Sequence, residues 1–513
     1  MLVHHYLRRS AAATPDATAV IDGRRQVTYA ELSALTVRFA NVLVEAGVKP
    51  GDRVIIALEN SPEFVACYFG AMEAGAVAVP LPPGARSDRL LAACADCEPV
   101  VCVADRAAAE LIASAAPASV RLLLVAGPSA VEAATVSRVE LLSVALDAAS
   151  TQPPDVRRID ADLAAIIYTS GSTGEPRGVM LSHLNICSNT ASIISYLKLT
   201  ASDSMVVVLP FFYVYGLSLL HTHVAVGASL VLVNSLAFPN VVVNAIRSHG
   251  VTGFAGVPST FALMLERSNL ASTPLPSLRY ATQAGGAMPP ARIRQWLAAM
   301  PSVPLFVMYG ATEASARLAY LEPAELPARI GSIGRAIPNV ELVVLKEDGT
   351  PARPGEVGEI VARGSNLSSG YWNHAQETAD RFRPEGFRTG DLGTFDEHGC
   401  LSVVGRLGDM LKIGGHRVSA REIEDAISEC PVVYECAVVA IDHEILGQAP
   451  VAFVTLKDEA STDAVTAFCR ANLSDAKVPV AVIACPELPK NASGKVDKRQ
   501  LRAGMRDMAG TAK

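Results

Sequence analysis

Residues 166–183 read IIYTSGSTGEPRGVMLSH, and the rest of the chain is best read outward from this stretch. An apolar run, Ala165-Ile166-Ile167-Tyr168, stops at Thr169-Ser170-Gly171-Ser172-Thr173-Gly174, and a second, Val179-Met180-Leu181, leads into Ser182-His183. The spacing predicts two strands with a loop of hydroxyls and glycines pinned between them. Glycines let backbone amides turn toward one point, and small hydroxyls add donors without filling the space. Such a loop makes a cradle for phosphate oxygens. The same composition also makes a plain flexible turn. It is not a Walker loop, because no Gly-Lys-Ser/Thr follows the last glycine.

The bulk composition narrows the setting. At 513 residues the chain is too long for one core, so roughly two to four domains or subdomains are expected. With 50% hydrophobic and 19% charged residues it reads as globular, and a net charge of −7 argues against a nucleic-acid binder. No window approaches the ~20 uninterrupted apolar residues of a membrane span. The opening MLVHHYLRRSAAATPD has no apolar segment of the kind a secretion signal needs. The ten cysteines are scattered, apart from Cys94, Cys97 and Cys102, with no partners at zinc-ligand spacing. Small buried thiols in a cytoplasmic, soluble protein are the expectation.

Toward the N-terminus, helical and strand-like segments alternate. Thr28 with Glu31 predicts a capping box for a helix through Leu43. Arg53–Leu58 and Val77–Leu81 read as strands, with a helix from Phe64 to Ala74 stopped by Gly75. Val100–Val103 and Leu122–Val125 follow, while Ser129–Asp155 has weak pattern and reads as a surface connection. Alternation at this spacing indicates an α/β fold with parallel strands. Beyond the loop the rhythm resumes with Val206–Pro210 and the aromatic run Phe211-Phe212-Tyr213-Val214-Tyr215, which serves equally as core or as a pocket wall. In Tyr309-Gly310-Ala311-Thr312-Glu313, the tyrosine can stack on a purine, Thr312 can reach a phosphate, and Glu313 offers a hard oxygen to Mg²⁺. Alternatively, Glu313 is a helix N-terminal carboxylate stabilised by the dipole. From Val340 onward, short β segments and turns suggest a small β-barrel-like subdomain.

The whole string TSGSTGEPRGVMLSH resembles the signature loop of the adenylate-forming superfamily, which includes acyl-CoA synthetases, acyl-AMP ligases, luciferase and peptide-synthetase adenylation domains. Six motifs match in family order from about residue 28 to residue 501. The resemblance implies a large N-terminal α/β adenylation domain (1–405), a hinge at 406–409 and a small mobile C-terminal α+β domain (410–513). It implies that Thr169, Ser170, Gly171, Ser172, Thr173, Gly174 and Arg177 hold the ATP phosphates, with arginine where the family usually has lysine. Gly285-Gly286-Ala287 resembles the adenine-binding turn, and Tyr309, Gly310 and Thr312 complete that side. Asp391 matches the ribose-binding aspartate, and Arg406 the nucleotide-contacting arginine. Glu313 and Thr169 match the Mg²⁺ site. Gly408 stands where many relatives have Asp or Lys. Gly414, Gly415 and His416 match the turn lining the thiol tunnel. PKNASGKVDK matches the catalytic-lysine loop, which makes Lys495 the strongest single assignment. Tyr213, Tyr215, Gly216, Val257, Gln283 and Met288 fall in the acyl pocket, with Tyr213 replacing the commoner histidine.

The implied reaction is ATP-dependent activation of a carboxylic acid to acyl-AMP, with catalysis by Lys495, Glu313, Arg406 and Thr169, followed by transfer to a thiol. Phe211–Leu220 contains no acidic residue to pair an α-ammonium, so a fatty or aryl acid is expected rather than an α-amino acid. With no fused carrier domain after Lys495, the thiol is that of free CoA or of a phosphopantetheine arm on a separate carrier protein. No nucleic acid or membrane partner is expected.

Overall fold

The computed structural model describes residues 1–84, 87–129, 131–132, 135–170, 176–413, 416–443, 446–457, 460–490 and 496–510. Its fold is mixed α/β, with two large sheets and a smaller one. In the first sheet, Arg138–Leu141, Leu122–Ala126, Val101–Asp105, Arg53–Ala57, Val77–Pro80 and Leu163–Ser170 lie side by side and parallel. Pro176–Ser182 closes its edge antiparallel to Leu163–Ser170, forming the strand–loop–strand unit that the opening motif predicts. The expected helix starts are present. The Thr28 hydroxyl accepts from the Glu31 amide while the Glu31 carboxylate accepts from the Thr28 amide, starting helix Tyr29–Glu45. The Ser61 hydroxyl caps Pro62–Glu73 by accepting from the Phe64 amide.

Residues 129–155 correct the surface-connection reading. They contain the edge strand Arg138–Leu141 and a helix, Leu142–Ala148, that buries Leu142, Ala145 and Leu146. Short elements with three or four apolar positions carry too little periodicity to stand out from a loop.

In the second sheet, Leu305–Tyr309, Tyr280–Gln283, Gly253–Gly256, Ser204–Val207, Ser229–Leu232 and Thr18–Asp22 run parallel in that order. The N-terminal hairpin Thr18–Asp22/Arg25–Thr28 therefore belongs to this sheet and not to its nearest neighbours in sequence. At the other edge, Ala319–Leu321 pairs antiparallel with Leu305–Tyr309. Antiparallel pairing then continues through Ser332–Ala336, Leu401–Arg406, Gly386–Phe395, Gly358–Gly364 and Val340–Leu345. The region expected as a small barrel-like subdomain is attached to the parallel sheet as its direct continuation.

Helices Tyr29–Glu45, Pro62–Glu73, His183–Leu197 and Val214–Val226 share one apolar core with both large sheets. Pro62–Glu73 is buried from end to end, which explains why it shows little amphipathic pattern. From Met410 onward the chain forms its own sheet, including Val433–His443 and Gly447–Leu456, around a core with Ile423, Ile427, Val438 and Val454. The one-turn helix Leu407–Asp409 joins it to Leu401–Arg406. Arg292 donates to the Tyr434 carbonyl at 2.9 Å, and Arg294 pairs with Glu429 at 2.8 Å, holding this unit against helix Pro290–Ala299. Among the described residues, no helix is long and apolar enough to cross a membrane. The cysteines are free; Cys94, Cys97 and Cys102 are packed in the core of the first sheet, and burial pushes the Cys97 thiol up to about 12.

Among the described residues, four histidines are buried in this framework. Burial lowers His183 and His223 from 6.5 to about 4, His221 to about 3 and His4 to about 2. The folded chain keeps these rings neutral, so between pH 6.5 and 4 the unfolded chain binds more protons and stability falls with falling pH. The slope is about 1.4 kcal/mol per pH unit for each fully titrating ring. Burial raises Asp425 to about 6 and also raises Asp22; both work in the opposite direction but are two groups against four. Urea unfolding at pH 7 and pH 5 is expected to show a clear loss of stability at pH 5. His183→Asn should reduce that loss, because the amide oxygen can accept from the Val3 amide as the ring nitrogen does at 3.1 Å. A midpoint that rises on acidification would contradict this assignment.

Candidate active site

Three predicted residues converge at one point. Tyr309 ends strand Leu305–Tyr309, and Asp391 and Arg406 face each other across the antiparallel pair Gly386–Phe395/Leu401–Arg406. The Tyr309 hydroxyl donates to Asp391 Oδ2 at 2.6 Å, and Arg406 Nε lies 3.1 Å from Asp391 Oδ1. Burial and the adjacent Asp391 charge hold the Tyr309 hydroxyl well above its ordinary range, so it is a neutral donor. The Asp391 carboxylate keeps further lone pairs for two neighbouring hydroxyls such as those of a ribose.

Gly310 has a steric role at this point. A Cβ there would stand 1.8 Å from the Ala316 carbonyl oxygen, because the chain doubles back after the one-turn helix Thr312–Ala314. That return lets the Leu318 amide donate to the Tyr309 carbonyl at 2.8 Å. Thr312 and Glu313 sit in the tight turn so formed.

The Glu313 carboxylate accepts from the Tyr371 hydroxyl at 2.7 Å. Tyr371 belongs to the segment Gly370–Asn373, which bonds along the hairpin: the Trp372 amide donates to the Gly178 carbonyl at 2.7 Å and the Met180 amide to the Gly370 carbonyl at 3.0 Å. This segment ties Glu313 to the hairpin that carries the hydroxyl-rich loop. Sequence reading covered this segment only among the short β segments and turns after Val340 and did not single out Tyr371; the aromatic pair in Gly370-Tyr371-Trp372-Asn373 was the available signal. Thr169 stands opposite Arg177 in the hairpin register. Arg177 forms an ion pair with Glu377 at 2.5 Å, and its guanidinium carbon lies 5.9 Å from the Tyr371 ring centroid. Its charge is met by Glu377, a residue the sequence reading did not single out. Gly171, Ser172, Thr173 and Gly174 lie outside the described residues, as does the side chain of Ser170.

On the pocket side, Tyr215 and Gly216 open helix Val214–Val226, and Tyr213 is its N-cap residue. A Cβ on Gly216 would meet the Pro210 carbonyl oxygen at 2.1 Å, so only glycine lets the helix start this close to the preceding bend. Asn60 fixes that bend, donating to the Leu209 carbonyl at 3.0 Å and accepting from the Phe211 amide at 2.8 Å. The Tyr215 hydroxyl is engaged with Thr282 at 2.9 Å. Gln283 donates to the Gly286 carbonyl at 2.7 Å, and Gly285 packs on Val257; Gly286 and Ala287 are exposed. Met288 departs from the pocket expectation. It is buried in the core with Trp296 and Phe261, so it packs behind the sheet. A methionine after a glycine turn reads the same in sequence whichever face it joins.

Gly408 lies in the connecting turn with open space around it. Asp409 beside it pairs with Arg502 at 3.2 Å. His416 begins a strand opposite Ile413, while Gly414, Gly415 and Lys495 lie outside the described residues. The base of the Lys495 loop is closed by a bridge between Lys490 and Val496 and by the Asp497 amide donating to the Pro489 carbonyl at 2.7 Å.

The tyrosine–carboxylate–arginine junction, tied through Tyr371 to the hairpin Leu163–Ser170/Pro176–Ser182, brings the residues singled out by motif into one region. The model of the AMP-binding enzyme family matches residues 7–372, and that of the AMP-binding enzyme C-terminal domain matches residues 422–495. The chain belongs to this adenylate-forming family. It is 33% identical over 496 residues to a feruloyl-CoA synthase from Amycolatopsis sp, covering 96% of this chain and 97% of that one. It is 32% identical to a 2-succinylbenzoate–CoA ligase from Geobacillus kaustophilus, with 97% of each covered. Among solved structures, the anthranilate CoA ligase AuaEII in complex with anthranoyl-AMP superposes with a TM-score of 0.89 at 26% identity, covering 98% of this chain and 97% of that one.

The close approach at Gly310 gives a direct test. Gly310→Ala is expected to lower ATP-dependent adenylation at least about 100-fold, because the Ala316–Leu318 return must shift and take the Tyr309–Asp391 contact with it. Adenylation rates at saturating ATP check this; a variant with near-normal rates would show that the return is not needed.

Proposed function

We propose that this protein activates an aryl-bearing carboxylic acid and passes the acyl group to CoA. The observation that carries this reading is the Tyr309–Asp391–Arg406 junction, joined by Tyr371 and Glu313 to the hydroxyl-rich hairpin. The enzyme is an acid–thiol ligase of the AMP-forming type. A carboxylate oxygen attacks the α-phosphorus of ATP, the bond to pyrophosphate breaks, and acyl-AMP forms. The thiol sulfur then attacks the acyl carbon, AMP leaves, and the thiol proton is released. Tyr309 stacks on the adenine, Asp391 accepts the ribose hydroxyls, and the loop 169–174 receives the terminal phosphates. Lys495 brings a cation to the two anions that must meet, the acid and the α-phosphate. Arg177 reaches the phosphates only by exchanging Glu377 for them.

Glu313 and Thr169 supply the hard oxygens that suit Mg²⁺, and one Glu313 oxygen is left over after Tyr371 takes the other. Bound there with ATP, the ion would neutralise charge on the departing pyrophosphate.

The acid assignment draws on the apolar, aromatic pocket segment and on relatives named for feruloyl, succinylbenzoate and anthranilate substrates. The absence of an acidic residue in Phe211–Leu220 disfavours α-amino acids. Residues 1–405 form the adenylation domain and 410–513 a lid that turns at Gly408, exchanging the Lys495 face for the Gly414–His416 face. The lone glycine with open surroundings supports that pivot.

Mass spectrometry of products from ATP, Mg²⁺ and a panel of aryl and fatty acids, with and without CoA, tests the whole reading. Acyl-CoA over many turnovers from an aryl acid is expected, with Lys495→Ala abolishing adenylate and Gly408→Pro slowing thioester formation more than adenylation. Adenylate that ignores CoA would point to a separate carrier protein as acceptor. No adenylate from any acid would overturn the assignment.

A further inference from the structure

Arg317 is buried, only 3% exposed, yet no carboxylate among the described residues pairs with it. Its polar contacts are one hydrogen bond to the neighbouring Ala316 carbonyl at 3.1 Å, a weak one from Nε to Met308 Sδ at 3.3 Å, and one to the Tyr196 hydroxyl. Its guanidinium carbon sits 4.1 Å from the centroid of the Tyr215 ring. Arg292, the other buried arginine among the described residues, shows what the fold ordinarily supplies: it is paired with Glu266 and bonded to the Tyr434 carbonyl. A desolvated guanidinium with only neutral acceptors beside it is costly unless an anion completes it. Thioether sulfur is a poor acceptor, and a tyrosine face offsets only part of the charge.

The backbone is built to deliver this side chain. Ser315 and Ala316, immediately before it, hold φ angles of +55° and +127°, values that side-chain-bearing residues rarely adopt. Asn366 and Asn189 both donate to the Arg317 carbonyl, at 2.8 and 3.0 Å, and Ser315 Oγ donates to the Asn366 carbonyl. Arg317 follows Glu313 by four residues and lies against Tyr215, a pocket candidate whose own hydroxyl is already engaged with Thr282. Arg317 is therefore a cation on this wall with no carboxylate partner among the described residues.

Building on the ligase reading above, we propose that Arg317 determines specificity by receiving a second carboxylate on the substrate, so that the acid activated is a dicarboxylic one. The first carboxylate attacks the α-phosphorus while the second pairs with the guanidinium, whose planar fork suits a carboxylate. An acid lacking the second group leaves the buried cation uncompensated and is rejected for that reason.

The test is pyrophosphate release, as kcat/KM, for acids taken in matched pairs: benzoate against isophthalate and terephthalate, phenylpropanoate against its ring-carboxylated analogue, and hexanoate against adipate. The wild-type enzyme is expected to favour the dicarboxylic member of at least one pair by about 100-fold or more. Arg317→Met should abolish or reverse that preference while retaining activity on the monocarboxylic member, and Arg317→Lys should keep part of it. Equal or better use of every monocarboxylic member by the wild type overturns the proposal and leaves the ligase reading intact. Equal loss on both members in Arg317→Met, with the preference ratio unchanged, also overturns it, since that is a packing role. The wild-type ratio decides the matter if the variants fail to fold. No adenylate from any acid overturns both readings.

Discussion

The Asp391 carboxylate takes a hydrogen bond from Tyr309 and an ion pair from Arg406, and so fixes three strands at one point. The two contacts are unequal. A buried hydroxyl bonded to a carboxylate contributes roughly 1.5–3 kcal/mol, whereas a pair with an arginine whose side chain is 68% exposed contributes about 0–1 kcal/mol. Tyr309 therefore holds Asp391 in place, and Arg406 is free to leave it. That asymmetry suits the position of Arg406 at the end of Leu401–Arg406, directly before the turn into the C-terminal unit. A firmly held carboxylate and a loosely held arginine beside the connecting turn are what the proposed lid movement needs.

The second constraint is the chain path around Tyr371. The hairpin and the Thr312–Ala314 turn come from different sheets, and the Gly370–Asn373 segment bonds to both. The hairpin and Glu313 are thereby referenced to each other through backbone hydrogen bonds on one side and a single tyrosine hydroxyl on the other. Preorganisation of this sort costs little when charge develops in the reaction. The pocket wall follows the same logic, with Asn60 carrying the position of the first sheet onto the bend before Tyr215.

Much of this was legible in the sequence because local rules acted alone. The capping box at Thr28, the stop at Gly75 and the strand–loop–strand hairpin depend on neighbours in the chain. Tyr309, Asp391 and Arg406 were each identifiable by motif, but their mutual contact is a consequence of strand order that no local pattern encodes. The misreadings have the same origin. Leu142–Ala148 is too short to show a period, and the antiparallel strands merge with the parallel sheet through Ala319–Leu321, a three-residue strand. Met288 joined the core behind the sheet, a choice of face that sequence leaves open. Arg317 passed unnoticed because an isolated arginine in ARLAY looks like surface charge until its burial is seen.

ATP–pyrophosphate exchange with Asp391→Asn addresses the central claim most directly, that this carboxylate is the shared anchor of nucleotide and arginine. The amide keeps the shape, loses the charge and replaces one acceptor with a donor facing Tyr309 or Arg406. The account predicts a KM for ATP raised by about 100-fold, with a largely unchanged KM for the acid and an unchanged melting temperature. Exchange at the wild-type rate and ATP affinity would contradict it, and would move the nucleotide seat away from the Tyr309–Asp391–Arg406 junction.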